Sequence, residues 1–265
     1  MPTVSANGID IYYELGGSGP GLLFISGTGG DLRNRPNVFD GPLPARFEVL
    51  AYDQRGLGQS GKPEGAYRMA DYADDAAALL DVIGWDRVPV IGVSFGGMVA
   101  QELALRHPDR VSACVLACTS AGGAGGASYP LHELEGLPEA DRAARQLALS
   151  DLRRDAAWRA ANPEKWQELM DMARTARRED RDEGGARRQL EARAGHDTFD
   201  RLPSLRMPVL VAGGRHDGIA PVANLEALSA RIPGARLALF DGGHLFLVQD
   251  RAAYPYIIQW VSENA

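Results

Sequence analysis

The chain has 265 residues, 45% of them hydrophobic and 24% charged, with a formal net charge of −7. That length accommodates one large domain, or one domain carrying an insertion, and the composition is that of an ordinary globular protein. The acidic balance argues against nucleic acid or an anionic membrane as partner. No window is apolar for the length of a membrane span, and Met1 to Gly8 lacks the basic and apolar regions of a secretory leader, so the expected location is the cytoplasm.

In chain order, residues 2–6 and Ile9 to Leu15, split by Asn7 and Gly8, read as a β-hairpin. Gly21 to Ile25 is a buried strand that runs straight into Ser26-Gly-Thr-Gly-Gly30. Arg46 to Tyr52 is a further strand, ending in the polar, glycine-rich turn Asp53 to Ser60. Met69 to Ile83 is an amphipathic helix closed by Gly84. Val88 to Val93 is a short β-branched run, hence a strand, and apolar residues at helical spacing follow from Phe95 to Arg106. Ser94 therefore sits on a sharp strand-to-helix turn, where Gly92 and Gly96 let the two elements approach and Ser94 takes a strained backbone conformation. Val111 to Thr119 is the next strand. It carries both cysteines, Cys114 and Cys118, which are too far apart along an extended strand to bridge and read as buried thiols.

The alternation then breaks. Gly122 to Gly126 reads as a flexible hinge, and no strand signal appears from Pro130 to about Asp200. Helix starts stand there instead, at Leu137 to Ala140 and at Asn162 to Lys165. The expected organisation is a core of residues 1–121 and 201–265 with a mostly helical cap inserted over 122–200. The alternation resumes with a strand at Met207 to Gly213, a helix at Val222 to Arg231, a strand at Arg236 to Phe240 and a last helix from about Asp250 to Ser262. Strands alternating with helices imply parallel pairing and an α/β sheet with helices on both faces.

Reactive groups in such a sheet collect on loops beyond the carboxyl ends of the strands. Ser94 is one. Of the five histidines, His107 ends a helix on the opposite edge, His132 and His196 fall in the cap, and His216 adjoins Asp217 in sequence. His244 follows a strand directly, in Asp241-Gly-Gly-His244, and Asp217 also follows a strand closely. The order Ser94, Asp217, His244 is that of the α/β-hydrolase triad.

With these residues in view, the chain resembles the α/β-hydrolase family over essentially all of its length outside the cap. The resemblance rests on the elbow Gly92-Val-Ser-Phe-Gly96, the turn Asp53 to Ser60, the acid in His216-Asp-Gly-Ile-Ala-Pro221, and Gly243-His244. It implies a mostly parallel, twisted, eight-stranded sheet flanked by helices, with an inserted helical cap. It also implies Ser94 as nucleophile, His244 as general base and then acid, and Asp217 orienting the imidazole. By resemblance the oxyanion is met by the backbone N–H groups of Phe95 and Thr28, with Gly29 as the alternative to Thr28. Ser26 stands where most relatives carry His, at the head of that loop. Ser26, Gly30 to Leu32 and the start of the helix at Gly96 are similar to the 3-oxoadipate enol-lactonase branch, which points to a small ester or lactone.

Further positions are candidate pocket residues. Gly27 and Gly29 lie on the oxyanion loop. Arg33 is a clamp for a substrate carboxylate, set against the commoner outcome of a solvated charge. Trp158 and Trp166 are set against the commoner outcome of cap core, and Phe246 belongs at the pocket mouth. Asp53 and Arg55 read as tying down their own turn. No His or Cys cluster has metal-ligand spacing and no dinucleotide fingerprint follows the first strand, so no metal or cofactor is expected. The expected partner is a small acyl substrate; a homo-oligomer is compatible with the sequence, and nothing in it demands one. The reading that results is a cofactor-free serine hydrolase acting through an acyl-enzyme. Its rivals are carbon–carbon bond hydrolysis or perhydrolase chemistry on the same residues and, in another class, a ligand receptor built on a hydrolase scaffold.

Overall fold

A computed structural model describes residues 3–176, 178 and 180–265. Pro2 of the first expected strand, and positions 177 and 179 of the expected cap, lie outside them. Strands β1 (Thr3–Ala6) and β2 (Ile9–Gly17) pair antiparallel around Asn7 and Gly8, whose φ values of 49° and 77° suit a two-residue turn matched to strand twist. Then come β3 (Gly21–Ile25), β4 (Glu48–Tyr52), helix α1 (Met69–Ile83), β5 (Val88–Val93), α2 (Phe95–Arg106) and β6 (Val111–Ala117). After β6 the chain forms α3 (Glu139–Ser150), α4 (Ala156–Ala161), α5 (Pro163–Ala176) and α6 (Glu183–Ala194). It then returns to β7 (Val209–Gly214), α7 (Val222–Arg231), β8 (Arg236–Phe240), the short α8 (Phe246–Gln249) and α9 (Ala253–Asn264).

The eight strands form one sheet in the order β1-β2-β4-β3-β5-β6-β7-β8. β2 is antiparallel to β1 and β4, and every other neighbouring pair is parallel. The inner strands are continuous apolar runs because both faces are covered. On one face, Leu80 of α1, Leu103 of α2 and Leu228 of α7 pack with Leu23, Val90 and Val211. On the other, Ile257 and Trp260 of α9 pack with Val49, Ile91 and Val115. From β3 the chain moves outward to β4 and then crosses to β5 on the other side of β3. This reversal opens a crevice at the carboxyl ends of β3 and β5, where a doubly wound sheet places its ligands.

Three expectations change in detail. The strand expected to reach Thr119 ends at Ala117, and Cys118 follows with φ 41°; both cysteines are buried free thiols. Residues Gly122 to Gly126 form a close-packed turn where a hinge was expected. A Cβ on Gly122 would fall 1.9 Å from the His196 carbonyl oxygen, and one on Gly125 would fall 2.4 Å from the Phe199 ring. The last helix begins at Ala253, and the short α8 precedes it. Among the described residues no helix is long and apolar enough to cross a membrane.

Candidate active site

The crevice is built first from backbone. Ser94 leaves β5 with φ 55° and ψ −115°, a conformation that non-glycine residues rarely hold, and α2 starts at the next residue. Two glycines make this turn possible. A Cβ on Gly92 would fall 2.3 Å from the Gly96 carbonyl oxygen, and one on Gly96 would fall 2.1 Å from the Ile25 carbonyl oxygen. The turn is pinned from the neighbouring strand: the Ser94 N–H donates to the Ala117 carbonyl at 2.8 Å, and Thr119 Oγ1 donates to the Ser94 carbonyl at 2.8 Å. The serine side chain thus stands over the carboxyl edge of the sheet, at the N-terminus of α2.

Asp217 leaves β7 and His244 leaves β8, two and three strands away from β5. The loop after β8 bends back over the sheet edge. His244 Nε2 comes 2.9 Å from Ser94 Oγ, and His244 Nδ1 comes 2.7 Å from Asp217 Oδ2. An ionised carboxylate only accepts, so Nδ1 carries the proton and Nε2 accepts from the serine hydroxyl. The other Asp217 oxygen accepts from the Ile219 and Ala220 N–H groups at 2.7 and 2.9 Å, which fixes the plane of the carboxylate. The structure therefore brings Ser94, His244 and Asp217 into one hydrogen-bonded chain.

The helical segment completes the support, through contacts with no signature in the sequence. The last carbonyls of a helix have no intrahelical partner. Here the Leu149 and Ser150 carbonyls at the end of α3 accept from the Gly218 N–H at 2.9 Å and the His244 N–H at 2.6 Å. The Leu152 N–H adds a bond to the His216 carbonyl at 2.8 Å. So the end of α3 clamps both loops that carry the acid and the imidazole.

On the opposite wall lies the loop after β3. Gln54 Nε2 donates to the Ser26 carbonyl at 2.8 Å, which anchors the head of the loop. The N–H of Gly29, the expected alternative to Thr28, donates to Gln189 Oε1 of α6 at 2.8 Å. Thr28 lines the cavity with His244, and its hydroxyl is buried without a partner. As the first residue of α2, Phe95 has an N–H with no intrahelical acceptor. Asp53 accepts from the Leu32 and Gln59 N–H groups at 2.7 and 2.8 Å, joining the loop to the turn Asp53 to Ser60. Burial pushes its carboxyl up to about 6. Arg55 makes a buried two-pronged pair with Asp75, both bonds at 2.6 Å.

Over His244 opens a cavity of about 850 Å³. Its walls come from the loops after β3 and β7 and from the helical segment, with Leu131, Leu134, Leu147, Leu190 and Ile219 apolar and Arg142 and Arg174 polar. Several candidate pocket residues are not in those walls. Phe246 is fully buried beneath, stacked on Phe240 at 5.4 Å, because α8 turns it into the core on the far face of the sheet. Trp158 and Trp166 are half-buried away from the cavity, and Trp166 receives the Arg159 guanidinium at 5.3 Å. Arg33 binds Asp31 and Asp180, both at 2.6 Å, so its charge is already answered. Gly27 stands beside Ser94, 3.4 Å from its Cβ by the position a side chain would take, and Gly29 does line the cavity. Among the described residues no group of three or more His, Cys, Asp or Glu side chains is placed to hold a metal.

Comparison with known proteins accords with this geometry. The family model described as α/β hydrolase fold matches residues 20–250. A poly(3-hydroxyalkanoate) depolymerase of Ectopseudomonas oleovorans is 31% identical, over 92% of this chain and 84% of its own. The 3-oxoadipate enol-lactonase 2 of Acinetobacter baylyi is 26% identical, over 99% of this chain and 96% of its own. Among solved structures, the enol-lactonase of Burkholderia xenovorans LB400 superposes with a TM-score of 0.77 at 24% identity, covering 99% of this chain and 98% of its own. The chain belongs to the α/β hydrolase fold family and is a hydrolase of that family.

Proposed function

We propose that the protein is a serine hydrolase that cleaves a small carboxylic ester or lactone through an acyl-enzyme on Ser94. The observation that carries this reading is His244 held between Ser94 Oγ and Asp217 Oδ2. As Ser94 Oγ attacks the acyl carbon, its proton passes to His244 Nε2, and Asp217 holds the tautomer and stabilises the imidazolium. The oxyanion takes the N–H groups of Phe95 and Thr28, and the free Thr28 hydroxyl adds a third donor. The C–O bond to the leaving alkoxide breaks, and that oxygen receives the proton from His244. Water then attacks the acyl-enzyme, giving its proton to His244; the acyl–Oγ bond breaks, Ser94 Oγ takes that proton back, and the acid leaves. Every group in this cycle belongs to the chain, apart from substrate and water.

The acyl–oxygen bond is common to the polyester named for one relative and the lactone named for another. Residues 122–200 act as the cap, and their leucines over His244 favour an acyl or alkyl part of moderate size. The test is hydrolysis of short-chain aryl esters and a panel of small lactones, wild type beside Ser94→Ala. Turnover in the wild type that falls about 10⁴- to 10⁶-fold in the variant supports the reading. A folded wild type inert on every acyl substrate, or a variant that keeps its rate, overturns it.

A further inference from the structure

A second, smaller cavity of about 100 Å³ lies between the end of α6 and the loop after β6. Met98, Ser120, Ser128, His132, Arg193 and His196 are among its walls. Arg193 is only 6% exposed. Its Nη1 donates to the Tyr129 carbonyl at 2.8 Å, while Nε and Nη2 are buried with no partner. Among the described residues no carboxylate pairs with it. Burial brings the guanidinium down to about 10, so it stays cationic at neutral pH. His196 is also 6% exposed, and neither ring nitrogen makes a well-formed hydrogen bond, the Ser120 backbone being the polar group that acts on the ring. Burial lowers it to about 4, which leaves a neutral ring with one N–H to donate. Of the two acids that act on His196, Glu102 is held by a two-pronged bond from Arg201 and Asp197 accepts from the Phe199 N–H.

A buried cation without a counter-charge is destabilising by several kcal/mol. Its open edge, Nε beside Nη2, is the face of a guanidinium that fits two oxygens of one planar anion. The volume is about three times a water molecule's share of liquid, which excludes nucleotides and sugar phosphates. We infer that this cavity is a binding site for a small planar monoanion with two acceptor oxygens, of the size of formate, acetate or bicarbonate, held by the Arg193 Nε–Nη2 edge and the His196 ring. The rim residue His132 is exposed, and an ion that enters past it is met as the covered Arg193 and His196 side chains turn toward the cavity. Arg193 lies one helical turn beyond Gln189, which holds the Gly29 N–H of the loop after β3. An anion here fastens α6 to the sheet edge and so steadies that loop.

The test is thermal unfolding of the full chain as sodium formate replaces sodium gluconate, whose carbon chain exceeds the cavity, at constant sodium. In the wild type the Tm is expected to rise by a few degrees and saturate, as binding to the native state alone requires. In Arg193→Met the response is expected to vanish. A non-saturating shift, or an equal shift in Arg193→Met, overturns the site and leaves Arg193 solvated by trapped water. Should Arg193→Met not fold, formate affinity is compared by isothermal titration in wild type and His196→Phe. A drop of at least about tenfold supports the site and an unchanged affinity overturns it.

Discussion

The turn at Ser94 and the helical segment between β6 and β7 meet at the same crevice but are held in opposite ways. The turn is backbone packed on backbone. Gly92 rests on the Gly96 carbonyl, Gly96 rests on the Ile25 carbonyl, and the Ser94 N–H is tied to β6, all within a few residues of the strands that carry them. The helical segment instead attaches at a few distant points: the Leu149 and Ser150 carbonyls on Gly218 and His244, Gln189 on Gly29, and ion pairs such as Arg33 with Asp180 and Arg153 with Asp241. The Ser94 end of the site is thus made by the rigid sheet. The helical segment reaches the site through point attachments, and some of these also hold the loops that carry Asp217, His244 and Thr28.

The sharpest way to break this comparison is at the turn. In Gly96→Ala the new methyl meets the Ile25 carbonyl, and backbone cannot rotate away as a side chain can. Urea unfolding is expected to show a loss of about 3 kcal/mol or more, with activity lost alongside. A smaller effect is expected from the attachment. Gln189→Leu removes the acceptor on the Gly29 N–H, and kcat should fall about tenfold, worth about 1.4 kcal/mol, with KM nearly unchanged. A change confined to KM would place Gln189 in substrate binding and not in loop positioning.

The smallest effect is one of pH. The Asp53 carboxyl at about 6 in the folded chain lies above the ordinary carboxylate value of about 3.9, so the native state holds this proton more tightly than the unfolded chain does. Stability from this group is therefore greatest below pH 4 and declines as pH rises through 6. Asp53→Asn does not titrate, and it keeps an acceptor for only one of the Leu32 and Gln59 N–H groups, which bond different oxygens of the carboxylate. The gap in unfolding free energy between wild type and variant, read by urea unfolding, should narrow on going from pH 4 to 7, by on the order of 1 kcal/mol. A gap that widens over that range would show that the charged form is the one the turn prefers.

Gln189 and Phe246 mark where sequence reasoning stopped. A hydrophobic residue two positions after His244 looks like a pocket wall, but the short α8 turns it through the sheet edge into the core beside Phe240. Nothing near Gln189 announces a partner 160 positions away. Trp158 and Trp166 show the same limit: a large aromatic residue in a helical segment packs on whatever lies beneath it, and here that surface is not the cavity.

What the sequence determined by itself was local or ordinal: the β5-turn-α2 unit around Ser94, the bounds of α1 and α7, and the order Ser94, Asp217, His244. These rest on periodicity, on glycines whose lack of Cβ a close approach requires, and on loops that follow strands, all of which a stretch of ten or twenty residues carries. The cavity wall, the clamp of α3 on the two loops, the engagement of the Gly29 N–H and the unpaired Arg193 beside His196 were decided only by tertiary structure. Each depends on which side chains and orphan backbone groups meet after the sheet has formed. That meeting is set by packing between segments far apart in the chain, for which a single sequence holds no local signal.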